Sequence, residues 1–214
     1  MKIDVRTVGL FEENCYLVVD ESTSRSVLVD PGDDGHRILD MVGASGSILE
    51  AIWLTHAHLD HIGAINEVRR VYPVPVYLHP MDLPFYEHLS AKAAEMYGLP
   101  WDQPVVTPLP LSDGDRITCG IVDFTVMHVP GHAPGHVSFN GPGLSLSGDL
   151  LFQGSIGRTD LPLSDPYAMD ASLARIATLP EDIIIYPGHG HTTTIGAERR
   201  ANPFLSGRAR VVKR

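Results

Sequence analysis

The sequence predicts an α/β (α+β) fold: one unit over residues 1–214, with two β-sheets and helices on the outside. Three observations lead there. Short apolar segments of strand length come in two sets, and segments of helical spacing interrupt each set. The 214 residues are 43% hydrophobic and 20% charged, enough to bury one sizeable core and too apolar for a disordered chain. No Ser/Gly linker, low-complexity tract or fixed-period repeat divides the chain.

The first set opens with Lys2–Val8, which alternates weakly, and Asn14–Val19, which is apolar. Ser26–Asp30 runs into the turn signal Pro31-Gly32. Asp33–Val42 then carries Ile38, Leu39 and Val42, the pattern of a short amphipathic helix ended by Gly43 and Gly46. Ala51–Thr55 is a compact apolar run that fits a buried strand. Ile62, Ile65, Val68 and Val71 recur at helical spacing, with Arg69 and Arg70 near the helix end and Pro73 and Pro75 stopping it. Val76–Leu78 is another strand, Met81–Tyr97 a helical stretch broken by Pro84, and Leu99–Pro110 a Pro-rich surface loop. The second set begins with Ile117–Val129, a long strand or a hairpin turning near Cys119-Gly120. Val137–Asn140 and Leu144–Ser147 follow, joined by Gly141-Pro142-Gly143. Pro166–Leu179 is a helix with Pro at its first position, Glu181–Tyr186 the last strand and Ile195–Ala201 a final helix.

Sixteen Lys and Arg against 26 Asp and Glu give a net charge of −10, with no basic stripe, which argues against a nucleic-acid partner. No apolar run approaches the roughly 20 residues of a membrane span. Lys2, Asp4 and Arg6 interrupt any apolar leader, so a cytoplasmic location and no membrane partner are expected. Cys15 and Cys119 read as two buried free thiols in a reducing compartment.

Histidine stands out, with 11 residues in clusters. His56-Ala57-His58-Leu59-Asp60-His61 follows the Ala51–Thr55 strand. Residues i and i+2 of a turning segment project to the same side, so His56 and His58 can chelate one ion. Asp60 and His61, a turn further on, point elsewhere and can hold a second. Imidazole and carboxylate suit zinc, iron and manganese. Such a loop needs further ligands, and three strand ends offer them: Val129-Pro130-Gly131-His132, Ser147-Gly148-Asp149 and Tyr186-Pro187-Gly188-His189. His128 follows a strand as a structural or supporting residue. The Pro-Gly-His context favours His189 over His191. His36, His79 and His88 read as surface or packing residues.

The string Thr55-His56-Ala57-His58-Leu59-Asp60-His61-Ile62-Gly63, followed in order by His132, Asp149 and His189, resembles the metallo-β-lactamase superfamily. Leu28-Val29-Asp30-Pro31-Gly32 matches the acidic turn that the family carries upstream. The resemblance runs from about Asn14 to His189. Within the superfamily the chain is most similar to the short, single-domain glyoxalase II-like (hydroxyacylglutathione hydrolase-like) thioester hydrolases, through Asp149–Asp160 and the tail Thr193–Arg199 with Asn202-Pro203-Phe204-Leu205.

The resemblance implies a four-layer αββα sandwich with metals at one edge between the sheets. It implies two divalent ions, zinc first, with iron or manganese also suited. His56, His58 and His132 would bind one and Asp60, His61 and His189 the other, with Asp149 bridging; Asp60 and Asp149 are the candidate catalytic carboxylates. It makes Asp30 an orienter of the metal loop. His136 either lines the site or is a plain buried, hydrogen-bonded histidine. Arg158 is the candidate for an anionic substrate group, or else an ion-pair partner of Asp160 or Asp165.

The implied activity is hydrolysis of a small acyl thioester such as S-lactoylglutathione by a bridging hydroxide. Asp149 stands where common metallo-β-lactamases carry Cys. Phe152 stands where lactone hydrolases of the fold carry Tyr, and His58 where flavodiiron reductases carry Glu. An alternative within the superfamily is a mononuclear Fe(II) persulfide dioxygenase using His56, His132 and Asp149; it shares the Gly-Arg-Thr-Asp stretch. A non-catalytic binding module is the remaining alternative, against which stands the complete ligand set. Only 25 residues follow His189, so no residues of the glutathione-binding helical domain of two-domain glyoxalase II enzymes are expected to carry over.

Overall fold

A computed structural model describes residues 1–212. Its first half runs β1 (Lys2–Val8), β2 (Glu13–Asp20), β3 (Arg25–Val29), α1 (Gly35–Ser45), β4 (Ile48–Trp53), α2 (Leu59–Ile62), α3 (Ile65–Val71), β5 (Val76–Leu78), α4 (Ser90–Tyr97) and β6 (Leu109–Pro110). The second half runs β7 (Arg116–Cys119), β8 (Val122–His128), β9 (Val137–Gly141), β10 (Leu144–Gly148), β11 (Leu151–Phe152), β12 (Ser155–Ile156), α5 (Pro166–Ile176), β13 (Ile184–Pro187), β14 (Thr193–Thr194) and α6 (Ile195–Ala201).

Each half builds one six-stranded sheet. The first has the order β1-β2-β3-β4-β5-β6, the second β14-β13-β10-β9-β8-β7, and β11 and β12 form a separate small hairpin. The first sheet changes from antiparallel pairing (β1–β2–β3) to parallel pairing (β3 through β6). The sheets pack face to face through Tyr16, Val18, Val27, Val29 and Trp53 on one side and Phe124, Val126, Val137, Phe139 and Leu146 on the other. Trp53 lies with its ring centroid 5.2 Å from those of both Phe124 and Phe139.

The outer faces carry the helices. Leu17, Leu28 and Ile52 meet Ile38, Met41 and Val42 of α1 and Ile65 and Val68 of α3. Ile185 and Leu150 meet Met169, Leu173 and Ile176 of α5 and Ile195 of α6. The architecture is the αββα sandwich that the resemblance implied. Strand β2 explains the absence of alternation in Asn14–Val19. All eight of its residues are buried, with Cys15, Leu17 and Val19 in the core under the helices and Tyr16 and Val18 in the core between the sheets.

Several local expectations are refined. The Pro-rich loop supplies β6, whose two residues pair with Tyr77 and Leu78. Glu181–Tyr186 is not the last strand, because β14 follows β13 and pairs with it antiparallel. Pro84 does not break the helical stretch. A 3-10 turn (Pro80–Asp82) leads into a π-helical turn (Phe85–Leu89) and then α4, so Pro84 sits where its missing N–H is tolerated. The hairpin turn near Cys119-Gly120 is where β7 meets β8. Helix α5 starts as expected: Pro166 follows Asp165, whose carboxylate accepts the Tyr167 and Ala168 N–H groups. Both cysteines are buried and free, and among the described residues no helix is long and apolar enough to cross a membrane.

Candidate metal centre

Strand ends gather the candidate ligands at one edge of the sandwich. His56 and His58 follow β4, and Asp60 and His61 open α2. His132 follows β8, Asp149 follows β10, and His189 follows β13. Both sheets therefore contribute. His58 Nδ1 lies 3.1 Å from His56 Nε2 and 2.8 Å from His132 Nε2. Three imidazole nitrogens turned on one point cannot all be satisfied by one another's protons. Four-coordinate zinc with bonds of 2.0–2.1 Å places its ligand atoms about 3.3 Å apart, so the trio fits a tetrahedral ion. Asp60, His61 and His189 form a second cluster, with Asp60 Oδ2 4.0 Å from His61 Nε2 and 3.4 Å from His189 Nε2.

Asp149 lies between the two groups. Its Oδ2 is 3.4 Å from His132 Nε2 and 3.5 Å from His189 Nε2, and its Oδ1 is 3.6 Å from His61 Nε2. His61 Nε2 and Asp149 Oδ1 are buried without a hydrogen-bond partner among the described residues. Orphaned polar atoms facing one another are what an ion between them would satisfy. The residues present therefore fit two metal ions. Gly188 leaves room for this approach, because a Cβ there would stand 2.2 Å from Asp149 Oδ1.

The far side of three of these imidazole rings is also engaged. His61 Nδ1 is 3.0 Å from Asp30 Oδ2. His56 Nδ1 is 3.0 Å from Thr55 Oγ1, whose hydroxyl donates to Asp30 Oδ2 at 2.6 Å. Asp30 Oδ1 accepts the Thr55 N–H at 2.7 Å. His132 Nδ1 donates to the Arg158 carbonyl at 2.8 Å. With Nδ1 as donor in all three, Nε2 keeps its lone pair for the site. Asp30 holds a positive φ of 51°, a conformation Asp tolerates better than most side chains. The same arrangement explains why Asp30, His56 and His61 form a further close group: their contact runs through the atoms turned away from the centre.

Electrostatics divide the two clusters. Burial, reinforced by neighbouring imidazoles, pushes His56 well down and His58 to about 3, and burial lowers His132. These are neutral, lone-pair donors. In the second cluster burial opposes charge, but the carboxylates prevail. Burial lowers His61 while Asp149, Asp60 and Asp30 raise it further, and the Asp149 and Asp60 contacts bring His189 up to about 11. Asp60 and Asp149 are held below the usual carboxylate range against burial, with His61 the main cause and His189 next.

The remaining candidates lie as follows. His136 is fully buried and its Nε2 accepts the Asp149 N–H at 2.9 Å, so it braces the backbone beside Asp149. Arg158 extends its guanidinium to Asp160 through two bonds of 2.9 and 3.1 Å. His128 is apart from the clusters, bonded to the Pro134 carbonyl and stacked on His79 with centroids 4.2 Å apart.

Three residues at the site were not singled out from the sequence. Asn14 Nδ2 donates to the Pro187 and Gly190 carbonyls, and Tyr16 Oη to the Pro187 carbonyl at 2.7 Å. Together they tie the turn carrying His189 to the opposite sheet. Glu13 is fully buried, with Oε1 3.8 Å from His61 Nδ1 and no hydrogen-bond partner for either oxygen among the described residues. Burial, then Asp30, Asp60 and Asp149, push its carboxyl well up. A polar Glu-Asn pair opening an otherwise apolar strand was the available signal.

An αββα sandwich with a paired His/Asp candidate metal site at its edge matches a class of metal-dependent enzymes. The chain belongs to the metallo-beta-lactamase superfamily, whose family model matches residues 8–189. It is 34% identical over 214 residues to "Hydroxyacylglutathione hydrolase GloC" of Haemophilus influenzae, covering 98% of this chain and 100% of that one. Among solved structures it is similar to TTHA1623 in a di-iron-bound form, at 46% identity and TM-score 0.88, covering 94% of this chain and 100% of that one. It is also similar to the BLEG-1 B3 metallo-beta-lactamase, at 37% identity and TM-score 0.90, covering 96% and 100%.

Proposed function

We propose that the protein hydrolyses a small acyl thioester, with S-lactoylglutathione as the model substrate. The observation that carries the reading is the set of donor atoms whose protonation the chain itself prepares: Nε2 of His56, His61 and His132 each left free by a partner on Nδ1. In this reading His56, His58 and His132 would hold one divalent ion and Asp60, His61 and His189 the other, with Asp149 placed to serve both. When bound, such ions lower the pKa of a water and polarise a carbonyl.

The chain's part is to place charge. Asp149 and Asp60 bring two carboxylates to a point where cations gather, and Asp30 holds His56 and His61 in one tautomer. The leaving group decides the substrate class. A thiol has a pKa of about 8.5, so a thiolate departs without a proton donor, whereas an amine does not. Arg158, exposed beside Asp160, would exchange that ion pair for a carboxylate of the thiol carrier. The full-length similarity to GloC supports the thioester.

The test is turnover of S-lactoylglutathione by protein loaded with zinc and, separately, with iron, followed by loss of thioester absorbance. Hydrolysis at an enzyme-like rate that a chelator abolishes is the expected result. No thioester turnover, together with hydrolysis of a β-lactam or O₂ uptake with glutathione persulfide by the iron form, would replace this reading with a lactamase or the dioxygenase.

A further inference from the structure

One buried carboxylate belongs to no ligand cluster yet touches the backbone of two ligand-bearing loops. Asp82 closes the 3-10 turn after β5 and is fully buried. Its Oδ2 accepts the N–H of Ala57 at 2.9 Å, and its Oδ1 accepts the N–H of Gly135. Ala57 is the residue between His56 and His58, in the first half of the chain. Gly135 closes the turn that carries His132 in the second half and adjoins His136. A Cβ on Gly135 would stand 2.6 Å from the Asp82 backbone nitrogen, so the two segments meet only because that residue is glycine.

The same stretch grips the His56–His58 loop twice more. Ser90 Oγ donates to the Ala57 carbonyl at 2.6 Å, so the loop's central residue has both N–H and C=O held by side chains. Phe85 sets its ring edge-on to His58, with centroids 4.6 Å apart. Asp82 differs from these two in reaching across to the second loop. The quantity it fixes is the separation of His58 from His132, which come from different sheets and face one another at 2.8 Å.

We propose that Asp82 is a positioning residue that sets the distance between the His56–His58 loop and the His132 loop, and thereby the affinity and coordination geometry of the ion held by those three histidines. The proposal rests on their assignment as ligands of one ion. A carboxylate suits the task because each oxygen accepts from one rigid backbone N–H. An amide in its place would turn its NH₂ toward one of the two donors.

The experiment loads wild type, Asp82→Asn and Asp82→Ala with cobalt(II), and reads the visible spectrum and the affinity of each site by chelator competition. The thermal midpoint of the metal-free proteins is followed alongside. Asp82→Ala is expected to weaken the three-histidine site about 10–100-fold, the range for losing an outer support, with a changed cobalt spectrum. The Asp60–His61–His189 site should change less than about 3-fold. Asp82→Asn, which keeps the volume, should fall between.

Equal weakening of both sites would make Asp82 a support of the fold alone and overturn the proposal. So would an Asp82→Asn protein with wild-type affinities and spectrum. The ligand assignment fails separately: if His58→Ala retains both ions at wild-type affinity, the three histidines do not share one, and the proposal falls with that reading.

Discussion

Three of the imidazoles at the candidate metal centre, His56, His61 and His132, have a second partner that decides which nitrogen is free. Asp30 serves two of them, His61 directly and His56 through Thr55. At this scale single substitutions separate ligand from neighbour. Asp149→Ala should reduce thioester turnover at least about 100-fold, since losing only an outer partner costs up to that. It should also lower bound metal measured by elemental analysis; full activity with two ions would refute the bridge. His191→Ala should leave metal content unchanged, because His191 is outside every close group of candidate ligands, while His189→Ala should lose one ion.

Asn14→Ala removes donors to two carbonyls of the His189 turn. It should cost about 1–3 kcal/mol in denaturant unfolding, the range for leaving buried partners unsatisfied. It should also weaken the Asp60–His61–His189 site more than the three-histidine site. The candidate ligands were legible in the sequence because their spacing is local, their Pro-Gly-His context repeats or, for Asp149, an apolar strand ends just before it. Glu13, Asn14, Tyr16 and Asp82 were not, because what they touch lies 25 to more than 170 residues away and no periodicity encodes that.

Among the elements, the long and strongly patterned ones were readable. Helices α1, α3 and α5 and the central strands lie where apolar spacing put them, but Gly43 falls inside α1, which runs on to Gly46, and Ile62 belongs to the separate α2 because the expected single helix divides at Gly63-Ala64. The two-residue strands β6 and β14 were not, since each exists only by pairing with a neighbour already in place. The ends of β5 and β8 hold a pH-sensitive contact. His79 follows β5 and stacks on His128, the last residue of β8. Burial, then the facing His128, brings His79 down to about 4, against the opposing charge of Asp113. The unfolded chain takes up a proton near pH 6.5 and the folded one does not until about 4. This contribution to stability is therefore complete above about pH 7 and lost as pH falls through that window. His79→Asn should flatten the decline in unfolding free energy between pH 7 and 4; an unchanged slope would show that His79 does not titrate with folding.

Over the whole molecule, each half of the chain lays down its own sheet, and two strand sets in the sequence were enough to expect that. The way the sheets face one another was implied by the resemblance and follows physically from β2, buried on both sides.

The distribution of the candidate ligands between the halves has a kinetic consequence. His56, His58, Asp60 and His61 lie before residue 110, and His132, Asp149 and His189 after it. The donors meet only once the two sheets have docked, so if docking completes after the refolding barrier an ion finds no complete site before it is crossed. Metal should then act on escape from the native state alone: saturating zinc should slow the unfolding rate and leave the refolding rate unchanged. A chevron with both limbs displaced would mean that the site assembles before the barrier is crossed.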